Sequence, residues 1–251
     1  MAFYELDKTS RQALVDHIHK ELLSSIQKQE SHFLKVYFGD EDAYIRKTAY
    51  LAIGKIYAHS PELRSTILPL LFNLFTSQDQ KIRQTTVNAA GEIGKNDFAP
   101  IEQIMEQGLF DKDPTVRNAV IGSLKKMGEK NPLPTLVFAR CFLHHEDKEI
   151  RREICHGIEL RGRTHPQDIL PLLKELEFDK TARVRTTLVH VLGQISYKKG
   201  CLATVIAHLK TWENEEVVKK AMDEIVDVHR RYAKFAALSQ AEAVALIAKN
   251  F

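Results

Sequence analysis

Leu14, Ile18, Leu22 and Ile26 recur at every fourth residue, the spacing of one buried face of an α-helix. Leu34 continues the apolar pattern, so residues 1–37 are expected to form one or two N-terminal capping helices. Beyond them a short phrase repeats: an acid, three residues, then an aliphatic–basic pair. It stands at Asp42…Ile45-Arg46, Asp79…Ile82-Arg83, Asp113…Val116-Arg117 and Asp147…Ile150-Arg151. Val184-Arg185 follows with Asp179 as a displaced acid, and Val218-Lys219 with Glu215. The basic residues fall at 46, 83, 117, 151, 185 and 219, in steps of 37 and then four times 34. A fixed period of this size is the signature of a repeat architecture.

Each phrase is expected to open a helix, with Asp79, Asp113 and Asp147 capping the first-turn N–H groups. Three residues after the basic position stand Ala49, Thr86, Val120, Ile154, Leu188 and Met222. Seven after it stand Ile53, Ala90, Leu124, Ile158, Leu192 and Val226, completing one buried face. Gly54, Gly91 and Gly193 come next, where close helix contact is expected. Between these helices lie others led by proline, as in Pro61-Glu62 and Pro166-Gln167, with Pro100 and Pro132 at similar places. Pro69 and Pro171, further in, should kink their helices or confine them to early turns. Ser239-Gln240-Ala241-Glu242 has capping-box spacing and should start a last helix. The pattern predicts an all-α fold, an α–α superhelix of about six 34-residue hairpins. It is expected to be a single domain over 1–251, with caps at 1–37 and 233–251 and repeats at 38–232. One hairpin cannot bury its apolar face alone, whereas a stack can.

Composition leaves this picture intact and narrows the setting. Apolar residues are 44% and charged residues 27%, ordinary for a globular protein. No run approaches the roughly 18 apolar residues of a membrane span. The N-terminus lacks a basic segment followed by an apolar core, so no signal peptide is expected. Cys141, Cys155 and Cys201 have no CxxC spacing and are expected to be reduced core thiols of a cytoplasmic protein. Charge is uneven: residues 1–100 hold 12 cations and 12 anions, whereas 112–200 hold 17 against 11, an excess of six. Solvated surface charge accounts for this, as does an anionic partner.

A proline-led helix followed by Asp-x-x-x-Val/Ile-Arg and an apolar helix ending in Gly-x-Ile resembles the HEAT repeat. The resemblance covers about residues 32–232. It implies that Arg46, Arg83, Arg117, Arg151 and Arg185 form a structural ladder with aspartates, and that the chain is a scaffold whose concave face holds a macromolecule. His165-Pro166-Gln167-Asp168-Ile169-Leu170-Pro171-Leu172-Leu173, then Val184-Arg185, Gln194-Ile195-Ser196 and Trp212, is similar to the C-terminal repeats of the HEAT-like alkylpurine DNA glycosylases.

No residues for chemistry of the chain's own are evident. The glycosylase resemblance implies aromatic faces flanking a carboxylate, because π electrons stabilise a cationic base. This sequence has one tryptophan, Trp212, off the expected inner face, and scattered tyrosines. A second enzymatic HEAT family, resembling deoxyhypusine hydroxylase, carries His-Glu pairs after the phrase. Here those positions hold Lys47-Thr48, Gln84-Thr85, Asn118-Ala119, Arg152-Glu153, Thr186-Thr187 and Lys220-Ala221. His144-His145-Glu146-Asp147 looks metal-like but is better read as a solvated turn with Asp147 as cap. There is no Gly-rich phosphate loop or HExxH. No catalytic residue, metal or cofactor is expected.

Two surfaces remain as candidates for a partner. Position +5 holds His156 and His190, 34 residues apart and expected side by side, with Glu159 one turn from His156 and Arg152 one turn before it. This is expected to be a polar, mildly basic inner face. Basic doublets form the second surface: Lys125, Lys126, with Lys130 nearby; Arg161, Arg163; Lys198, Lys199; and Arg230, Arg231. They are expected at the ends of the second helices, exposed along one edge. Cations favour helix C-termini through the dipole, and a row of them also suits phosphates. The expected function is a non-catalytic scaffold binding either an acidic protein surface or nucleic acid. The alternative is a DNA-binding protein related to the glycosylases, with weak or no glycosylase activity.

Overall fold

The computed structural model describes residues 3–251, and all regular structure among them is helical. The chain forms two compact units, Met1–Asn131 and Pro132–Phe251. In the first, α1 (Lys8–Gln27), α3 (Ala43–His59), α5 (Gln80–Gly94) and α7 (Pro114–Lys130) pack side by side as one layer. The second layer is α2 (His32–Phe38), α4 (Arg64–Phe75) and α6 (Glu102–Leu109). In the second unit, α9 (Lys148–Gly157) with the short α10 (Glu159–Gly162), α12 (Ala182–Gln194) and α14 (Glu215–Arg231) form the corresponding layer. It packs with α8 (Pro132–Phe142), α11 (Pro166–Lys174) and α13 (Cys201–Leu209), while α15 (Gln240–Ala248) rests on α13 and α14. None of the helices among the described residues is long and apolar enough to cross a membrane.

The phrase opens helices as its chemistry requires. Asp42, Asp79, Asp113 and Asp147 each accept a bond from the backbone N–H two residues on, at 2.8 Å. Ser239 and Glu242 form the reciprocal capping box. Ile18, Leu22, Ile26 and Leu34 are buried, as are the predicted core positions from Ala49 to Leu192. Each large side chain so buried contributes about 1.5–3 kcal/mol. The last repeat departs from the expected register. Asn214, not Glu215, caps α14 through a bond from the Val217 N–H. This start one residue early buries Ala221 and Ile225 and leaves Met222 and Val226 half-buried. The prolines do not end their helices either: α4 continues past Pro69 and α11 past Pro171. Cys155 and Cys201 are buried, but Cys141 is exposed on α8, in line with exposed Leu133 and Val137.

The glycines mark close helix approach. A Cβ on Gly54 would stand 2.7 Å from Glu92 Cβ, and one on Gly193 2.6 Å from Glu224 Cγ. One on Gly91 would overlap the Ser123 side chain. Real Cβ atoms do not come this near, so larger residues would force the layer apart.

Consecutive repeats are joined by buried ion pairs. Arg83 clamps Asp111 with Nε and Nη2, at 2.7 and 3.0 Å, and Arg151 clamps Asp179 at 2.5 and 3.1 Å. All four side chains are under a tenth exposed. The remaining Nη1 of each arginine bonds the carbonyls five and six residues back, closing its own turn. The partner is therefore not the capping aspartate but an acid six residues before the next arginine. Arg46 and Arg117 make the carbonyl bonds of this set as well, and Arg185 bonds the Asp179 carbonyl. Burial raises the Asp111 and Asp179 carboxyls, but the arginine hydrogen bonds, backbone N–H bonds and arginine charge outweigh it and hold both below the usual range.

Arg83→Ala leaves Asp111 as an uncompensated buried charge and is expected to cost about 3–5 kcal/mol in urea unfolding. The exposed Arg183→Ala should cost no more than about 0.5 kcal/mol, and equal losses would refute the structural role. Because the folded carboxyls are depressed, their contribution is complete above the unfolded value of 3.8. It is lost as pH falls below that value through the folded pKa. Unfolding midpoints should drop steeply below about pH 4, and less steeply in an Asp111→Asn, Asp179→Asn variant.

Candidate functional site

The period of the chain sets the geometry of the second unit's helical layer. Arg151, facing the core, ties α9 to the turn before α12. Helical spacing then turns Arg152, His156 and Glu159 together onto another face. One repeat on, His190 of α12 stands beside His156, with ring centroids 5.9 Å apart and planes at 75°. His156 Nε2 lies 3.1 Å from Glu159 Oε2, and His190 Nδ1 lies 3.6 Å from Glu224 Oε1 on α14. The sequence-predicted adjacency of the two histidines is thus present, and Glu224 extends the row to a third helix.

The face is not an excess of cations. Arg152 is bound to Glu149 at 2.9 Å and lies 3.5 Å from the buried Glu153. Glu149 also pairs with Arg183 at 3.1 Å. Glu224 pairs with Arg231 at 2.6 Å, and Arg231 with Asp227 at 2.5 Å. The hydrogen bond from Arg230 is the largest influence on the Asp227 carboxyl and, with the Arg231 bond and both arginine charges, holds it below the usual range against desolvation. Between α12 and α14 runs a groove of about 440 Å³ lined by Arg185, Lys220, Glu216, Asp223, Glu224 and Asp227. Four carboxylates and two cations line it, where a mildly basic surface was expected. Glu216 is paired with Lys220, and Arg230 and Arg231 at the end of α14 sit on Asp227 and Glu224, so the lining is rich in carboxylates but largely ion-paired within the chain.

The basic doublets also differ from expectation. They stand late in α7 and at the end of α14, in and just after the short α10 that follows α9, and in the turn between α12 and α13, not at the ends of the proline-led helices. Several are drawn inward by acids. Lys126 lies 3.2 Å from Glu92 and over the Tyr50 ring, while Lys125 is half-buried. Arg161 is held by Asp168 at 2.6 and 2.7 Å, with its side chain only 16% exposed. Arg163 donates to Glu159, to Gln194 Oε1 at 2.9 Å and to the Tyr197 hydroxyl at 3.4 Å. Arg230 binds Asp227, and Arg231 is taken by Glu224 and Asp227. Lys198 and Lys199 are exposed, Lys198 with its ammonium 4.8 Å from the Tyr197 ring centroid. The acids at i−3 and i−4 of Arg163, Arg230 and Arg231 were visible in the sequence, whereas Glu92 for Lys126, Asp168 for Arg161, and Gln194 and Tyr197 for Arg163 carried no signal there.

Trp212, the His144–Asp147 turn and Cys155 are engaged within the chain. Trp212 is 7% exposed and its indole N–H donates to His208 at 2.8 Å, so its faces do not line a binding surface. His144 pairs with Glu175 at 2.7 Å, while His145 Nδ1 accepts the Asp147 N–H at 3.1 Å, so the His144–Asp147 turn is a capped, ion-paired start to α9. Burial pushes the Cys155 thiol far up, leaving it protonated and unreactive.

No family model matches the sequence, and no curated protein matches it. Among solved structures, AlkD2 from Streptococcus mutans is similar over 85% of this chain and 100% of its own, with 18% identity and TM-score 0.55. Kap95p, described with RanGDP, is similar over 95% of this chain and 35% of its own, at 15% identity and TM-score 0.49. An archaeal HEAT-like repeats protein from Thermococcus onnurineus NA1 covers 96% and 98%, at 14% identity and TM-score 0.41. Similarity at these identities concerns fold, and with the paired helices and 34-residue phrase it gives the chain a HEAT-like helical-repeat fold.

Proposed function

We propose that this chain is a non-catalytic binding protein that holds a macromolecular partner on the charged face of α9, α12 and α14. The partner's contact surface is a cationic protein segment. The observation that carries this reading is the carboxylate-rich groove between α12 and α14, continuous in residues with the His156–His190–Glu224 row through Glu224. Repeat folds present such long surfaces because each hairpin contributes the same helix face. Nucleic acid is less well supported. Five of the eight doublet residues are already paired with carboxylates of this chain, as are three of the four groove carboxylates with its cations, so either partner exchanges existing pairs. The difference is that the carboxylates are gathered in one groove, whereas the doublets are divided among separate segments. The resemblance of residues 165–212 to the HEAT-like DNA glycosylases leaves DNA as the reading to be tested against, although Trp212 is buried and bonded to His208.

Fluorescence anisotropy decides between them. A labelled Lys/Arg-rich peptide of about 15 residues is expected to bind with a dissociation constant below about 100 µM at low salt. Glu216→Lys with Asp223→Lys should weaken it at least tenfold. Duplex, single-stranded and branched DNA should not bind at tens of micromolar protein in about 50 mM salt. DNA binding that falls with log salt, by about 0.9 per phosphate contact, and is lost in Lys198→Glu, Lys199→Glu would overturn the reading.

A further inference from the structure

We propose that His156, Glu159 and His190 form a binding site for a divalent transition-metal ion of the zinc class. Their ligand atoms all lie within 4.8 Å of one another, and the His156 Nε2 to Glu159 Oε2 separation is 3.1 Å. Ligand atoms around a tetrahedral zinc stand roughly 3.3–3.5 Å apart, given metal–ligand bonds of about 2.0–2.2 Å. Closing the site therefore requires a shift of about 1 Å in a partly exposed imidazole, within the reach of a side-chain rotation.

The donor set specifies the class. Two imidazoles and one carboxylate suit zinc, cobalt, nickel or ferrous iron. Calcium and magnesium prefer oxygen throughout. The carboxylate is the anchored member: Glu159 is 1% exposed. Its Oε1 accepts from Arg163, which is itself steered by Gln194 and Tyr197, and its Oε2 faces His156. A ligand oriented by an outer hydrogen bond through its second atom is how protein metal sites are stiffened. The two histidines are the open members, with side chains 31% and 43% exposed, so an ion has a path in. Glu224, 3.6 Å from His190, supplies a candidate fourth ligand on α14. The charged neighbours Arg152, Arg163 and Arg231 are balanced by Glu153, Glu224 and Glu159 itself, so the site carries no net positive charge against a divalent ion. An ion here would join the α9–α10 segment to α12 on the surface, as Arg151 and Asp179 join them in the interior. The inference stands independently of the cationic partner proposed above.

The test is metal binding by the full chain after chelator treatment and dialysis. One equivalent of Zn²⁺ should bind with a dissociation constant of about 1 µM or below in competition with a chromogenic chelator. Co²⁺ should give the visible d–d bands of a low-coordinate nitrogen–oxygen site, and saturating Zn²⁺ should raise the melting temperature. His156→Asn and His190→Asn should each weaken binding at least tenfold, with helical circular dichroism unchanged because both side chains are partly exposed. Glu159→Gln should weaken it likewise, and His144→Asn should have no effect. Absence of saturable Zn²⁺ binding and of Co²⁺ bands up to about 100 µM metal would overturn the proposal. So would binding that survives the double histidine variant.

Discussion

The buried bridge from arginine to aspartate is the interaction on which the repeat geometry depends. A planar guanidinium with five donors spans two jobs at once. One edge of Arg83 or Arg151 closes the turn that opens its own helix, and the other grips a carboxylate in the turn before the next. Burying such a pair is costly unless its donors are used. Arg151 makes five hydrogen bonds, one of them to Thr181, and Arg83 makes four. Lysine, with a single ammonium, cannot make both contacts with the same geometry.

Fixing one turn to the next also fixes which residues meet along the layer. With α9 and α12 tied at Arg151 and Asp179, the 34-residue period brings His156 opposite His190. Glycines set the distance across the layer, and Gly193 lets the Glu224 side chain of α14 lie directly on α12. The solvent-facing side of the layer then assembles from equivalent positions, and its chemistry follows from what each repeat places there. In the second unit that is imidazole and carboxylate, with arginines from the helix ends folded back onto the carboxylates. Cations read along the sequence as a phosphate-binding edge are in large part internal counter-charges.

Features governed by local spacing were legible in the sequence. The aspartate caps act on an N–H two residues away, and the histidine pair needs only the period. The close-contact glycines were visible for the same reason. The ladder acid was not, because the position six residues before each basic residue reads Asp40, Ser77, Asp111, His145, Asp179 and Glu213, without a constant type. The last repeat misled through chemistry: Glu215 occupies the cap position by count, but the adjacent Asn214 is the stronger cap and takes the role. Cys141 was assigned to the core from its composition class alone, and the helix turns it outward. The carboxylates of the α12–α14 groove, Glu216, Asp223, Glu224 and Asp227, all stand on one side of α14 at helical spacing and were legible as such, whereas the neighbour that faces them, Arg185 of α12, follows only from the packing of the two helices.

A double-mutant cycle on Arg151 and Asp179 tests the central claim most directly. Unfolding free energies of Arg151→Ala, Asp179→Ala and the double variant isolate the coupling between the two side chains. If the bridge sets the joint between consecutive repeats, the coupling is about 2–3 kcal/mol, and the double variant is far more stable than additivity predicts. Additivity within about 0.5 kcal/mol would contradict it, and would mean that helix packing alone holds α9 to α12.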